Sequence, residues 1–375
     1  TSAQQRVIAE ITADQGKPDR MLRLLQGDVG SGKTFVALIA ILTVLEAGAQ
    51  AALLAPTEIL ARQHYQGLSK LLKPLGLTPV LLSGSTKQKA RQDILQGLAD
   101  GSCQIAIGTH ALLTDEVIFA DLALAVVDEQ HRFGVRQRLV LGQKGKNCDV
   151  LVMTATPIPR TLAMTAYGDL TVSRLDEKPA GRQDIETALI SQDRLADVTA
   201  RLATAISNGQ RAYWICPLVE ETDKLDAAAA EDRHRALTAV LPDANPVLAH
   251  GRMKTEQREA AMSAFKDGTS KLLVATTVIE VGVDVPEASI IIIEHAERFG
   301  LAQLHQLRGR VGRGDKQSSC ILMYQPPLSD TARSRLKIMR QTNDGFVIAE
   351  EDLRLRGPGE VLGQRQSGLP EFCLA

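Results

Sequence analysis

Aromatic residues are scarce. The 375 residues include one Trp, four Tyr and seven Phe, too few for an interleaved base-stacking platform, so any nucleic-acid contact is expected to be to backbone. Five cysteines, Cys103, Cys148, Cys216, Cys320 and Cys373, are scattered, with no Cys-x-x-Cys pair and no interleaved histidines. That spacing argues against a zinc site and for reduced, mostly buried thiols, Cys216 being a core residue. No apolar run is long enough to cross a bilayer, and the longest, Ser289 to Ile293 with its flanks, is strand-sized. The N-terminus lacks the basic-then-apolar layout of a secretion signal, and a cytoplasmic location is expected. A formal net charge of -1 neither requires nor excludes nucleic acid, because local Lys, Arg and backbone amides can grip phosphates on a neutral molecule.

What is present is a globular composition, 44% hydrophobic and 23% charged, in a chain long enough for two main bodies. Short β-rich apolar runs alternate with helical patterns twice over, the signature of βαβ units and parallel sheets. The first series has strands at Met21–Leu25, Ala51–Ala55, Val80–Leu82, Ile105–Ile107, Leu124–Val127 and Leu151–Met153, with helices such as Lys33–Ala47 and Glu58–Leu72. Pro179 and Gly181 mark a linker. The second series has strands at Thr187–Ile190, Ala212–Ile215, Pro246–Leu248, Leu272–Ala275, Ile290–Ile293 and Cys320–Tyr324, with helices at Gln192–Ser207 and Thr255–Asp267. From Ser329 two charged helices meet at Asn343-Asp344-Gly345. The expectation is an α/β chain of two tandem lobes, 1–175 and 187–328, joined by a linker over 176–186 and followed by a helical hairpin and loop over 329–375.

Gly27-Asp28-Val29-Gly30-Ser31-Gly32-Lys33-Thr34 follows an apolar strand and opens a helix, the setting of a phosphate-binding loop. Gly27, Gly30, Ser31 and Gly32 let backbone amides face phosphates at a helix N-terminus; Lys33 would reach the β and γ phosphates of ATP, and Thr34 would ligate Mg2+. Asp128-Glu129-Gln130-His131 emerges at the carboxyl end of a strand, where ligands bind parallel sheets. Asp128 can hold Mg2+ while Glu129 orients or deprotonates the attacking water. In the second lobe, Gln306-Leu307-Arg308-Gly309-Arg310-Val311-Gly312-Arg313 places arginines three apart, on one face if helical. Arg310 and Arg313 suit charge developing on a γ phosphate, because a guanidinium stays charged and donates through a fork.

In order, these motifs resemble the second superfamily of helicases. Further likeness lies in Thr1-x-x-Gln4, Pro56-Thr57-Glu58, Gly108-Thr109-His110, Thr154-Ala155-Thr156 and Thr276-Thr277-x-Ile279-Glu280-x-Gly282-Val283-Asp284. The resemblance implies RecA-like lobes, with Gln4 reading adenine. It places Thr57, Thr109, Arg252 and Thr276 along the DNA path, Thr154 and Thr156 in the coupling of the lobes, and Gly282, Asp284 and Gln306 in the ATP cleft.

Closer likeness lies in Asp128 to Gly134, Tyr167-Gly168-Asp169-Leu170 and Asp352 to Glu360, which resemble the RecG family of branched-DNA helicases. In that family the terminal hairpin and the loop through Gln364-Arg365-Gln366-Ser367-Gly368 form a translocation motif that pulls on duplex DNA, which makes Arg356, Arg365 and Gln366 candidate transmission or DNA contacts. Family members begin with a wedge domain that splits the junction, and the motor part alone is expected here, as a monomer. Double-stranded and branched DNA are the implied partners, together with single-stranded-DNA-binding protein through the N-terminal domain. The motor of the transcription-repair coupling factor is a near rival, with Glu and Ala expected in place of Gln130 and Pro358. An ATP-dependent DNA-binding switch that does not translocate is a rival of another class, ranked lower because both motif sets are intact.

Overall fold

A computed structural model of the chain describes residues 1–128, 141, 144, 145, 147–155, 170–177, 184–217, 223–276, 285–314 and 317–356. The described residues divide into two compact units, one up to residue 177 and the other from residue 184.

The first unit holds helix α1 (Ser2–Gln15), β1 (Leu22–Gly27), α2 (Lys33–Glu46), β2 (Gln50–Leu54), α3 (Glu58–Leu72), β3 (Val80–Leu82), α4 (Gln88–Ala99), β4 (Ile105–Gly108), β5 (Leu122–Val127), β6 (Asp149–Thr154) and β7 (Thr171–Leu175). Its seven strands run in the order β3-β4-β2-β5-β6-β1-β7, every described pairing parallel. Central strands covered on both faces must be apolar throughout, and all five residues of β2 are buried. From α2, Val36, Ala37, Ile41, Val44 and Leu45 pack with β2 and β5 side chains in one core. At about 1.5–3 kcal/mol for each large aliphatic side chain removed from water, such contacts hold α2 and the loop before it to the sheet.

Strand β7 was not anticipated from sequence. It lies against β1, with Leu25 opposite Ser173 and Gly27 opposite Leu175. Its buried Ser173 accepts from Arg23 of β1 at 2.5 Å, and Arg23 also pairs with Glu10 at 3.2 Å and with Asp14, both on α1. A buried guanidinium requires such partners, so the polar cluster pins α1 to the edge of the sheet.

The second unit holds β8 (Glu186–Ser191), α5 (Leu195–Ser207), β9 (Arg211–Ile215), α6 (Asp223–Val240), β10 (Val247–Ala249), α7 (Thr255–Asp267), β11 (Leu272–Ala275), β12 (Ala288–Ile293), α8 (Leu301–Arg308), β13 (Ser319–Tyr324), α9 (Asp330–Gln341) and α10 (Gly345–Arg356). Its sheet, β10-β11-β9-β12-β13-β8, is also parallel throughout. All six residues of β12 are buried, and Cys216, just past β9, lies in the same core. Helix α9 starts on the Ser329 hydroxyl, which accepts from the Ala332 amide at 3.2 Å, and α10 starts on Asp344, whose carboxylate accepts from the Phe346 amide at 2.8 Å. The hairpin therefore forms where two helices and a turn were expected.

Candidate nucleotide and DNA site

Strands β5, β6 and β1 lie side by side, and their carboxyl ends bring Asp128, Thr154 and the Gly27–Thr34 loop to one edge. In the loop, Gly30 has φ 78° and Gly32 φ 89°, a left-handed backbone that costs other residues about 1–2 kcal/mol each. A Cβ on Gly27 would strike the Ser31 hydroxyl, and one on Gly32 would strike the Gln4 amide. The loop is therefore an all-backbone cradle. Lys33, almost buried, donates from Nζ to the carbonyls of Gly27 at 2.7 Å and Asp28 at 3.0 Å, and Thr34 sits half-buried in the first turn of α2. The Ser31 hydroxyl is buried with no hydrogen-bond partner among the described residues.

Gln4 reaches this loop from the start of α1, where Thr1 and Gln4 form a capping box. Its amide donates to the Ser31 carbonyl at 3.1 Å, and its Oε1 accepts from the Thr1 backbone nitrogen at 2.9 Å. Ser2 and the Ala3 amide bond Glu177 beyond β7, so that strand anchors the helix that presents Gln4.

Asp128 is 7% exposed, its amide donates to the Leu54 carbonyl, and its Oδ2 lies 2.7 Å from Nε2 of His64 on α3. Sequence reading missed His64, a histidine amid helical residues whose partner lies sixty-four positions away.

The candidate DNA contacts of the first unit also share this edge. Thr57 follows β2 and Thr109 follows the adjacent β4. Thr57 caps α3, its hydroxyl accepting from the Leu60 amide at 3.3 Å. Glu58 beside it accepts from Ser83 at 3.0 Å, from Arg62 at 2.9 Å and from Ser85. Burial pushes the Glu58 carboxyl up, but the hydrogen bonds of Ser85, Ser83 and Arg62 outweigh it and hold the group below its ordinary 4.5.

In the second unit, exposed Arg252 follows β10 and Thr276 follows the neighbouring β11, with Thr276 only 2% exposed. Gln306 is half-buried on α8. Arg310 and Arg313 do not continue that helix, contrary to a helical face. The chain leaves α8 at Gly309 and turns through Gly312 at φ 78°, so both arginines stand on a turn; Arg313 is tied back by its Nε to the Gly309 carbonyl at 3.0 Å. The neglected arginine of this run is Arg308. It is 2% exposed and donates to the carbonyls of Met339 at 2.7 Å and Thr342 at 2.9 Å, binding α8 to the hairpin. A Cβ on Gly345 would come within 2.6 Å of His305 Nε2, so the hairpin turn is seated directly on α8.

Glu129, Gln130, His131, Thr156, Tyr167 to Asp169, Gly282, Asp284, Pro358, Arg365 and Gln366 lie outside the described residues, as does the side chain of Arg356.

The DEAD/DEAH box helicase model matches residues 1–165, the helicase conserved C-terminal domain residues 194–315, and the RecG domain 3 C-terminal model residues 342–374. Over its whole length the chain is 55% identical to the ATP-dependent DNA helicase RecG of Pasteurella multocida, 53% to that of Escherichia coli K12 and 52% to that of Bacillus subtilis. The chain belongs to the RecG family. This RecG-family chain spans 55% of the length of each of those relatives. A RecG structure bound to a three-way DNA junction superposes with a TM-score of 0.81 at 43% identity, over 96% of this chain and 47% of that one. The DEAD-box helicase Mss116p, at 20% identity and TM-score 0.71 over 98% of this chain and 77% of that one, shares the fold. These matches favour the RecG reading over the coupling-factor rival.

Proposed function

We propose that the chain is the ATP-hydrolysing motor of a DNA helicase that translocates on double-stranded DNA and, within the longer protein, works on branched DNA in recombination and repair, regressing stalled forks and migrating Holliday junctions. The observation that carries this reading is the convergence of the Lys33 loop and Asp128 at the carboxyl ends of β1 and β5, the two strands that flank β6, in a chain that aligns throughout with RecG helicases. The glycine cradle and the buried Ser31 hydroxyl, which has no hydrogen-bond partner among the described residues, fit a polyphosphate. Lys33 would hold the β and γ phosphates, Gln4 the base, and Thr34 and Asp128 the Mg2+ that offsets phosphate charge when bound. Glu129 is assigned to the attacking water, Arg310 and Arg313 to γ-phosphate charge, and Gln306, Gly282 and Asp284 to nucleotide contacts. Thr57, Thr109, Arg252 and Thr276 are assigned to the DNA backbone, and Arg356, Arg365 and Gln366 to transmission or duplex contact.

The same reading implies a cytoplasmic monomer that meets single-stranded-DNA-binding protein through the N-terminal part of its relatives. Triplex displacement tests translocation. A third strand removed in proportion to ATP turnover supports a motor; ATP-dependent DNA affinity without displacement indicates a switch and contradicts it.

A further inference from the structure

His64 stands outside every role assigned so far, yet it touches the carboxylate assigned to Mg2+. It is 8% exposed, and with Asp128 ionised only the ring Nε2–H can supply the hydrogen of their 2.7 Å contact. The Asp128 backbone is fixed separately by its amide bond to Leu54, so what His64 adds is control over the rotation of the carboxylate. Groups that orient a metal-binding carboxylate from outside affect metal affinity or activity by roughly 10–100-fold.

The helix that carries His64 begins at a candidate DNA contact. Thr57 caps α3, and His64 follows seven residues later, on the same face and about 10 Å further along the axis. The first turn is held by Glu58 to Ser83 and Ser85 beyond β3, and the helix body is packed through Ala61, Leu68 and Leu72. A rigid helix so held shifts as a unit.

We propose that His64 is a positioning residue through which α3 links the DNA track to the nucleotide site: DNA engaged at the Thr57 end moves or steadies α3, and the His64–Asp128 hydrogen bond passes this to the carboxylate that receives Mg2+. The proposal rests on the reading of this site as a DNA-stimulated Mg-ATPase.

Four readouts separate positioning from simple packing: mant-ATP affinity in EDTA, its Mg2+ dependence, linear-duplex affinity by fluorescence anisotropy, and turnover with and without duplex. His64→Leu is expected to leave mant-ATP affinity in EDTA and duplex affinity unchanged. It should raise the half-saturating Mg2+ concentration about 10-fold or more and lower the ratio of duplex-stimulated to basal turnover by a similar factor. His64→Gln, whose amide reaches toward the position of Nε2, should recover much of both, whereas the shorter His64→Asn should not. The Gln and Asn pair decides the matter if the Leu variant fails to fold.

Wild-type Mg2+ dependence and stimulation in His64→Leu, or equal behaviour of the Gln and Asn variants, overturns the proposal. A Mg2+ defect with stimulation intact overturns it too, because the link to DNA is then absent. Failure of the underlying reading looks different: the wild-type chain itself would show no Mg2+-dependent nucleotide signal, and both claims would fall together.

Discussion

Lys33 closes the phosphate loop onto the end of β1 by donating to the carbonyls of Gly27 and Asp28, and in turnover the same ammonium is assigned to phosphate oxygens. Lys33→Ala should lower kcat at least ~10²-fold in a steady-state ATPase assay, the scale seen when a single charge-stabilising donor is removed. Glu129→Gln should abolish turnover yet still bind mant-ATP; near-normal turnover would remove Glu129 from its role. Glu58 offers a pH test. Its folded-state pKa lies below the ordinary 4.5, so its contribution to stability is present above that value and lost as pH falls through the lower folded-state value. The Tm difference between wild type and Glu58→Gln, measured from neutral to strongly acid pH, should shrink at the acid end. The place of Lys33 and Thr34 on a glycine loop after β1, and of Asp128 at the end of β5, was legible in sequence because a phosphate-loop pattern has a set spacing after its strand. His64 was not, because one histidine on a helix has no spacing rule, and only the fold brings it to Asp128.

At the scale of elements, Arg308 joins α8 to the hairpin by serving the carbonyls of Met339 and Thr342 near the end of α9. Arg308→Ala would strip a partner from the buried Met339 carbonyl and from the partly buried Thr342 carbonyl and should cost about 1–3 kcal/mol, read as a lower Tm. If the hairpin serves translocation, triplex displacement should fall further than ATP turnover; equal losses would contradict that separation. Most strands were legible because parallel strands covered on both faces become continuous apolar runs, as in β2 and β12. Strand β7 escaped because its buried Ser173 reads as polar until Arg23 and Glu10 are seen to satisfy it. The turn at Arg310 and Arg313 escaped because a three-residue arginine spacing suits a helix as well as a turn, and the left-handed Gly312 decides for the turn.

At the scale of the whole molecule, the two lobes repeat one parallel α/β plan, and the chain spans about half the length of its RecG relatives. That division is the reason to test motor action apart from branch choice. Arg313→Ala should reduce ATP turnover on the order of 10³-fold, as for an arginine serving γ-phosphate charge. The most direct measurement is steady-state ATP hydrolysis by the chain with no DNA, linear duplex, single strands and a four-way junction. The account predicts stimulation by linear duplex as well as by the junction, lost in Lys33→Ala. Basal turnover that no DNA stimulates would contradict it.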